Sequence, residues 1–147
     1  MSLKVPVHST ISSWGLLLAA WLLAVAATLA ALFIGEVMGK TPCVLCWFQR
    51  IFMFPLAVIL TIACYRADFT VWRYALPLAA IGWVIALYHC MLFGGVIPED
   101  LKPCSAGTSC SGADMLIFGS VPLPLLSLAA FTAIILLLAL IRRRTLV

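Results

Sequence analysis

Charge is scarce in this chain: only 10% of its 147 residues are Asp, Glu, Lys or Arg, where soluble domains carry about 25%. With 65% hydrophobic residues and a mean hydropathy of +1.21, it has too little polar surface to face water on all sides, which excludes an ordinary soluble domain. Acidic residues are rarer still, five in all, and none falls in the interior of a long apolar run. A transporter coupled to ions or drugs needs an ionisable carrier near mid-membrane, so that class lacks its working group. A basic surface for nucleic acid is missing too. The net charge of +4 comes from residues spread over short connections, and a solvated stop signal explains the terminal run Arg142-Arg143-Arg144.

What is present is hydrocarbon. Four stretches reach the roughly 20 mostly apolar residues that a bilayer crossing needs, at about 15–34, 47–65, 74–93 and 121–141. They predict an all-α four-helix transmembrane bundle, one integral membrane domain over residues 1–147, with a mobile extracytoplasmic loop, 94–120, between the third and fourth helices. The first stretch imitates a secretory signal, with Lys4 before an apolar run and Ala24-Val25-Ala26 as a small-residue motif. The run continues past it through Ala27, Leu29, Ala31, Leu32 and Phe33, long enough to anchor rather than be trimmed. Ala19, Ala20, Ala24, Ala26, Ala27, Ala30 and Ala31 predict close packing of this helix against its neighbours.

Lys and Arg set the orientation, because cytoplasmic connections carry the excess. Lys4, Arg66, Arg73 and Arg142 to Arg144 fall on one side, Lys40 and Lys102 on the other, with Arg50 at the membrane edge. Both termini are therefore expected in the cytoplasm of a multi-pass protein. Four of the six cysteines then face the opposite compartment, where disulfides persist. Cys64 and Cys90, inside spans, read as small packing residues.

Cys43-Val44-Leu45-Cys46 stands before Trp47-Phe48-Gln49-Arg50, where a transmembrane helix is expected to begin. Thr41-Pro42 supplies a cap residue and a proline suited to the first helical position. Both thiols would sit in the first turn, bridgeable, with free N–H groups and the helix dipole favouring thiolate. Arg50, four residues beyond Cys46, projects from the same side; it can snorkel to the headgroups, or stabilise a thiolate or the developing oxyanion of a quinone. Gln49 offers an amide to a quinone carbonyl or to a neighbouring helix. His89, beside Tyr88 in the third span, can bond a quinone oxygen, relay protons, or satisfy a neighbouring carbonyl. In the 94–120 loop, Ser105-Ala106-Gly107-Thr108-Ser109 separates Cys104 from Cys110 and gives them freedom to meet a partner. Met115-Leu116-Ile117-Phe118 is an apolar patch suited to the headgroup region or to docking against a partner protein.

A C-x-x-C pair also serves zinc sites and inert disulfides. Cys104 and Cys110 would complete a four-thiolate set, although their gap is wider than the usual zinc knuckle. A metal-handling protein and a structural tetraspan therefore stand as alternatives to a redox enzyme. No metal is assigned in the preferred reading.

The chain resembles the DsbB/BdbC family of membrane quinone-dependent thiol oxidases. The resemblance rests on Cys43 to Ile51 at a helix start, Tyr88-His89, a cysteine pair in the second outer loop, and Val121-Pro122-Leu123-Pro124-Leu125-Leu126-Ser127-Leu128 opening the fourth span; it covers nearly the whole chain. It implies an enzyme of the bacterial cytoplasmic (inner) membrane that reoxidises a DsbA-like, thioredoxin-fold extracytoplasmic donor, in the manner of a folding chaperone, and passes two electrons to ubiquinone or menaquinone. By position, it implies that Cys104 takes the donor's thiolate attack, Cys110 exchanges with Cys43, and Cys46 faces the quinone. Arg50 is implied beside the quinone ring, with His89 near the same pocket. The close Cys104 to Cys110 spacing is similar to the BdbC subtype, so the resemblance does not make an interloop Cys43–Cys110 disulfide an obligatory step.

Overall fold

The computed structural model describes residues 7–97, 116–117 and 121–146. Four helices carry the chain: α1 (Val7–Leu32), α2 (Val44–Arg66), α3 (Trp72–Phe93) and α4 (Leu123–Leu146). Each is long and apolar enough to cross a membrane. In hydrocarbon every backbone polar group must find its partner within the segment, and the α-helix does this for an unbroken apolar run. Each helix packs on its sequence neighbours and α4 closes back onto α1, giving an up-down-up-down bundle. This is the all-α membrane bundle that the four apolar runs predict.

The buried residues follow helical stripes. On α2 the stripe is Leu45, Gln49, Met53, Leu56, Leu60 and Ala63; on α3 it is Ala75, Ala79, Gly82, Ala86, His89 and Leu92. Ala20 and Ala24 of α1 are fully buried, so the alanines do admit a close neighbour. Gly82 serves the same end: a Cβ there would run into the fully buried ring of Phe131 on α4. Two indoles tie helices together in an environment without water. Trp21 Nε1 donates to Thr61 Oγ1 at 2.7 Å, and Trp83 Nε1 donates to Thr132 Oγ1 at 2.9 Å.

The helix ends depart from the expected bounds. The first helix runs on as a π-turn, Phe33–Val37, beyond the expected end at 34. The fourth starts at Leu123 rather than 121, because Val121–Pro122 (β2) pairs antiparallel with Leu116–Ile117 (β1), Leu116 opposite Pro122 and Ile117 opposite Val121. That pair is the one departure from an all-helical fold among the described residues. Met115 and Phe118, the flanks of the expected headgroup patch, lie outside them, as do Cys104 and Cys110.

The cap of α2 also differs. Thr41-Pro42 precedes the helix, and Cys43 itself is the N-cap, with extended backbone (φ −67°, ψ 165°) and a side chain that accepts from the Cys46 N–H. A sulfur therefore does what a Ser or Thr oxygen usually does. The alternating direction of the helices brings the start of α2, the end of α3, the end of α1 and the start of α4 to one end of the bundle.

Candidate redox site

Capping geometry sets the two sulfurs. Cys46 N–H points at Cys43 Sγ, 3.4 Å away, which turns the Cys43 side chain back over the first turn. The sulfurs lie 3.3 Å apart as free thiols, with Cys43 donating to Cys46. Cys43 is buried and Cys46 half-buried. Helix-dipole reasoning alone expects a lowered thiol pKa here, but the Cys43 thiol is pushed up to about 12. The hydrogen bond it gives to Cys46 is the main cause and burial the next, while His89 pulls the other way. In the reduced pair the proton therefore stays on Cys43 at neutral pH.

His89 and Gln49 are the polar members of two packed stripes, and they meet. His89 Nε2 is 3.8 Å from Cys43 Sγ, and its Nδ1 is 3.2 Å from the Gln49 amide nitrogen. Both side chains are buried, His89 almost completely. An amide suits this position because turning it over exchanges donor for acceptor, so it can serve either imidazole tautomer.

On the other side of Cys46 lies a cavity of about 560 Å³. Its walls are largely apolar, from Ala27 and Ala30 of α1, Phe54 of α2 and Leu126 of α4. Polar groups gather at one end: Cys46, Gln49, Arg50 and Lys40. Arg50 reaches across to α1, where Nη2 donates to the Ala31 carbonyl at 2.7 Å, and its guanidinium lies 5.5 Å from the centre of the Trp47 ring. Lys40 Nζ donates to the Leu116 carbonyl at 3.0 Å.

The residues singled out from the sequence thus separate into two layers. Cys46, Gln49 and Arg50 line the cavity; Cys43 and His89 stand behind it, with Gln49 reaching both. The Ala31 carbonyl and Lys40 complete the site, and sequence reasoning did not single them out, since a backbone acceptor and a loop lysine have no motif. Ligand atoms of Cys43, Cys46 and His89 all lie within 4.8 Å of one another, so this trio is also a candidate metal site.

The family model for Disulfide bond formation protein DsbB matches residues 12–141. The chain belongs to the DsbB family. Its relatives agree: it is 65% identical over 134 residues to a probable disulfide formation protein of Metapseudomonas resinovorans, covering 90% of this chain and 93% of that one. It is 40% identical over 126 residues to disulfide bond formation protein C of Bacillus subtilis, covering 86% and 91% of the two chains. A probable disulfide formation protein of Deinococcus radiodurans is 41% identical over 135 residues, with 85% and 87% covered. No solved structure gives a significant match. As a DsbB-family protein with four helices long and apolar enough to span a membrane, the chain is a multi-pass membrane protein of disulfide formation, and Cys43 and Cys46 are a closely paired set of free thiols at the head of α2.

Proposed function

We propose that the protein is a quinone-dependent thiol oxidase. It takes two electrons from a thioredoxin-fold, DsbA-like dithiol protein on the extracytoplasmic face of a bacterial inner membrane and passes them to ubiquinone or menaquinone, with both termini in the cytoplasm. The observation that carries this reading is the cavity. It has the size of a small-molecule site, apolar walls for a lipid-soluble ring, and Cys46, Gln49 and Arg50 at its polar end. A bound quinone would supply an acceptor for two electrons and two protons, leaving as the quinol.

The chain's own residues handle the thiol side. In the first half-reaction the donor dithiol reduces the Cys43–Cys46 disulfide by thiol–disulfide exchange, with Cys104 and Cys110, outside the described residues, as the relay pair. In the second, two S–H groups become one S–S bond, releasing two electrons and two protons. Cys46, the more exposed sulfur, faces the cavity, and Cys43 must lose a tightly held proton before it can close the bond. His89 Nε2 is placed to receive that proton. The imidazolium would then donate to the Cys43 thiolate from Nε2 and to the Gln49 carbonyl oxygen from Nδ1. Arg50 holds a positive charge at the cavity end, where developing negative charge is stabilised.

The test is quinone reduction followed optically, with purified protein and a reduced thioredoxin-fold donor, in the wild type and in Cys43→Ala, Cys104→Ala and Arg50→Ala. Turnover lost in both cysteine variants, with quinone affinity weakened by Arg50→Ala, is the expected result. Absence of turnover with every quinone and donor tried would remove the proposal. The Cys43, Cys46 and His89 trio favours one second reading, a metal-handling protein with a soft cation on two thiolates and an imidazole. Stoichiometric metal retained by the purified protein, together with absent turnover, would select it.

A further inference from the structure

A guanidinium on a long, flexible stem needs neighbours to fix it if it is to stand at one end of a cavity. For Arg50 the end of α1 does this. The Ala31 carbonyl accepts from Nη2 at 2.7 Å. Gly35 presents bare backbone beside the same group: a Cβ there would stand 3.3 Å from both Nη1 and Nη2. Ala31 and Gly35 are four residues apart and so lie on one face of the helix. Between them the helix changes from α to π, at Phe33. A π-turn closes wider rings than an α-turn and shifts its carbonyls off the regular ladder, and such turns recur at functional sites. Gly35 is not at a positive φ, so its backbone does not require glycine. The close approach of the Arg50 guanidinium is what an added Cβ would disturb.

We infer that the π-turn Phe33–Val37 is the seat of Arg50, and that Gly35 is a positioning residue that fixes the guanidinium at the polar end of the cavity. This rests on the quinone reading above. Gly35→Ala would push the guanidinium by a few tenths of an ångström against its bond to Ala31. Alanine is also the better helix former, so a merely structural role predicts unchanged or improved stability and no change in ligand affinity.

The experiment is equilibrium binding of short-chain ubiquinone and menaquinone, read by tryptophan quenching, together with Tm, in the full-length protein without quinone. The variants are Gly35→Ala, Arg50→Ala, the double variant, and Gly15→Ala, whose added Cβ meets nothing within 4 Å. Since a misplacement of 1 Å can cost about 100-fold, Gly35→Ala is expected to raise Kd on the order of three- to tenfold. Its Tm should be equal or higher, Gly15→Ala should leave Kd unchanged, and Gly35→Ala should add nothing in the Arg50→Ala background. If Arg50→Ala weakens binding and Gly35→Ala does not, or if Gly35→Ala acts equally with Arg50 absent, the seat is overturned while the quinone reading stands. If the wild type binds neither quinone, or Arg50→Ala leaves Kd unchanged, Arg50's assigned role falls and the seat falls with it.

Discussion

The two ends of the bundle use polar residues in opposite ways. At the end bearing Asp68, polar groups turn outward and close short local circuits: Asp68 accepts from the Thr70 N–H at 2.9 Å and from its hydroxyl at 2.6 Å, and Tyr74 adds a longer bond. Arg73 and Arg142 lie over the Trp72 ring, and its indole donates to Thr145. Those contacts cap helices and leave the arginines exposed. At the other end Gln49 and His89 are turned into the interior, and Arg50 is laid across α1. Burying polar groups lowers stability unless each is satisfied. The cysteine end satisfies them against one another, against an α1 carbonyl and around a cavity.

Breaking the buried end should give the largest effects. Cys46→Ser or Cys43→Ser is expected to lower donor-dependent quinone reduction on the order of 1000-fold or more, since neither sulfur can form the bond alone. His89→Ala should cost about 100-fold in kcat, as expected for loss of a positioned base, and Gln49→Ala about tenfold, as expected for loss of its orienting partner. A steady-state assay over both substrates separates these changes from changes in KM. An unchanged kcat in His89→Ala would make the imidazole a packing residue.

The thiols sharpen the contrast through pH. The Cys43 thiol, at about 12, is raised above the usual thiol value, so it keeps its proton at neutral pH. Timed alkylation of the reduced protein at pH 7 to 9, read by mass spectrometry, should label Cys46 well before Cys43. The native state holds the Cys43 proton more tightly than the unfolded chain does, so reduced protein should lose stability as pH climbs past the ordinary thiol value. Equal labelling of the two sulfurs would contradict the hydrogen bond between them.

Asp68→Asn should have the smallest effect. The bonds from Thr70 hold the Asp68 carboxyl below the usual carboxylate range, so its contribution is present above that range and fades as pH falls through the lowered value. For an exposed turn cap the loss is about 0.5–1 kcal/mol, with turnover unchanged. Thermal melts at pH 7 and pH 3 would check it, since the difference between variant and wild type should shrink in acid.

Much of this was legible in the sequence because membranes simplify the problem. Unbroken apolar runs leave the backbone little choice but helix, and four of them with short connections leave few arrangements other than an antiparallel bundle. The site was readable where residues lie close along one helix: Cys46, Gln49 and Arg50 all come from the first turns of α2 and all line the cavity. It was less readable where groups meet across helices. Nothing in the order of residues says that His89 lies behind Cys43 rather than in the cavity, although the buried stripes of α2 and α3 do bring positions 49 and 89 inward together. The cap at Cys43 escaped because capping rules are written for oxygen. The π-turn escaped because Phe33, Ile34 and Val37 continue an apolar pattern equally suited to an α-helix.

One contact reaches beyond the site. Lys40, just ahead of the C-x-x-C turn, grips the Leu116 carbonyl, and Leu116 is locked in its strand pair with Pro122. The bond joins the segment that leads into α2 to the strand pair that leads into α4, so the starts of two helices share a tether that helix packing alone does not provide. A shift of one helix start must therefore carry the other with it.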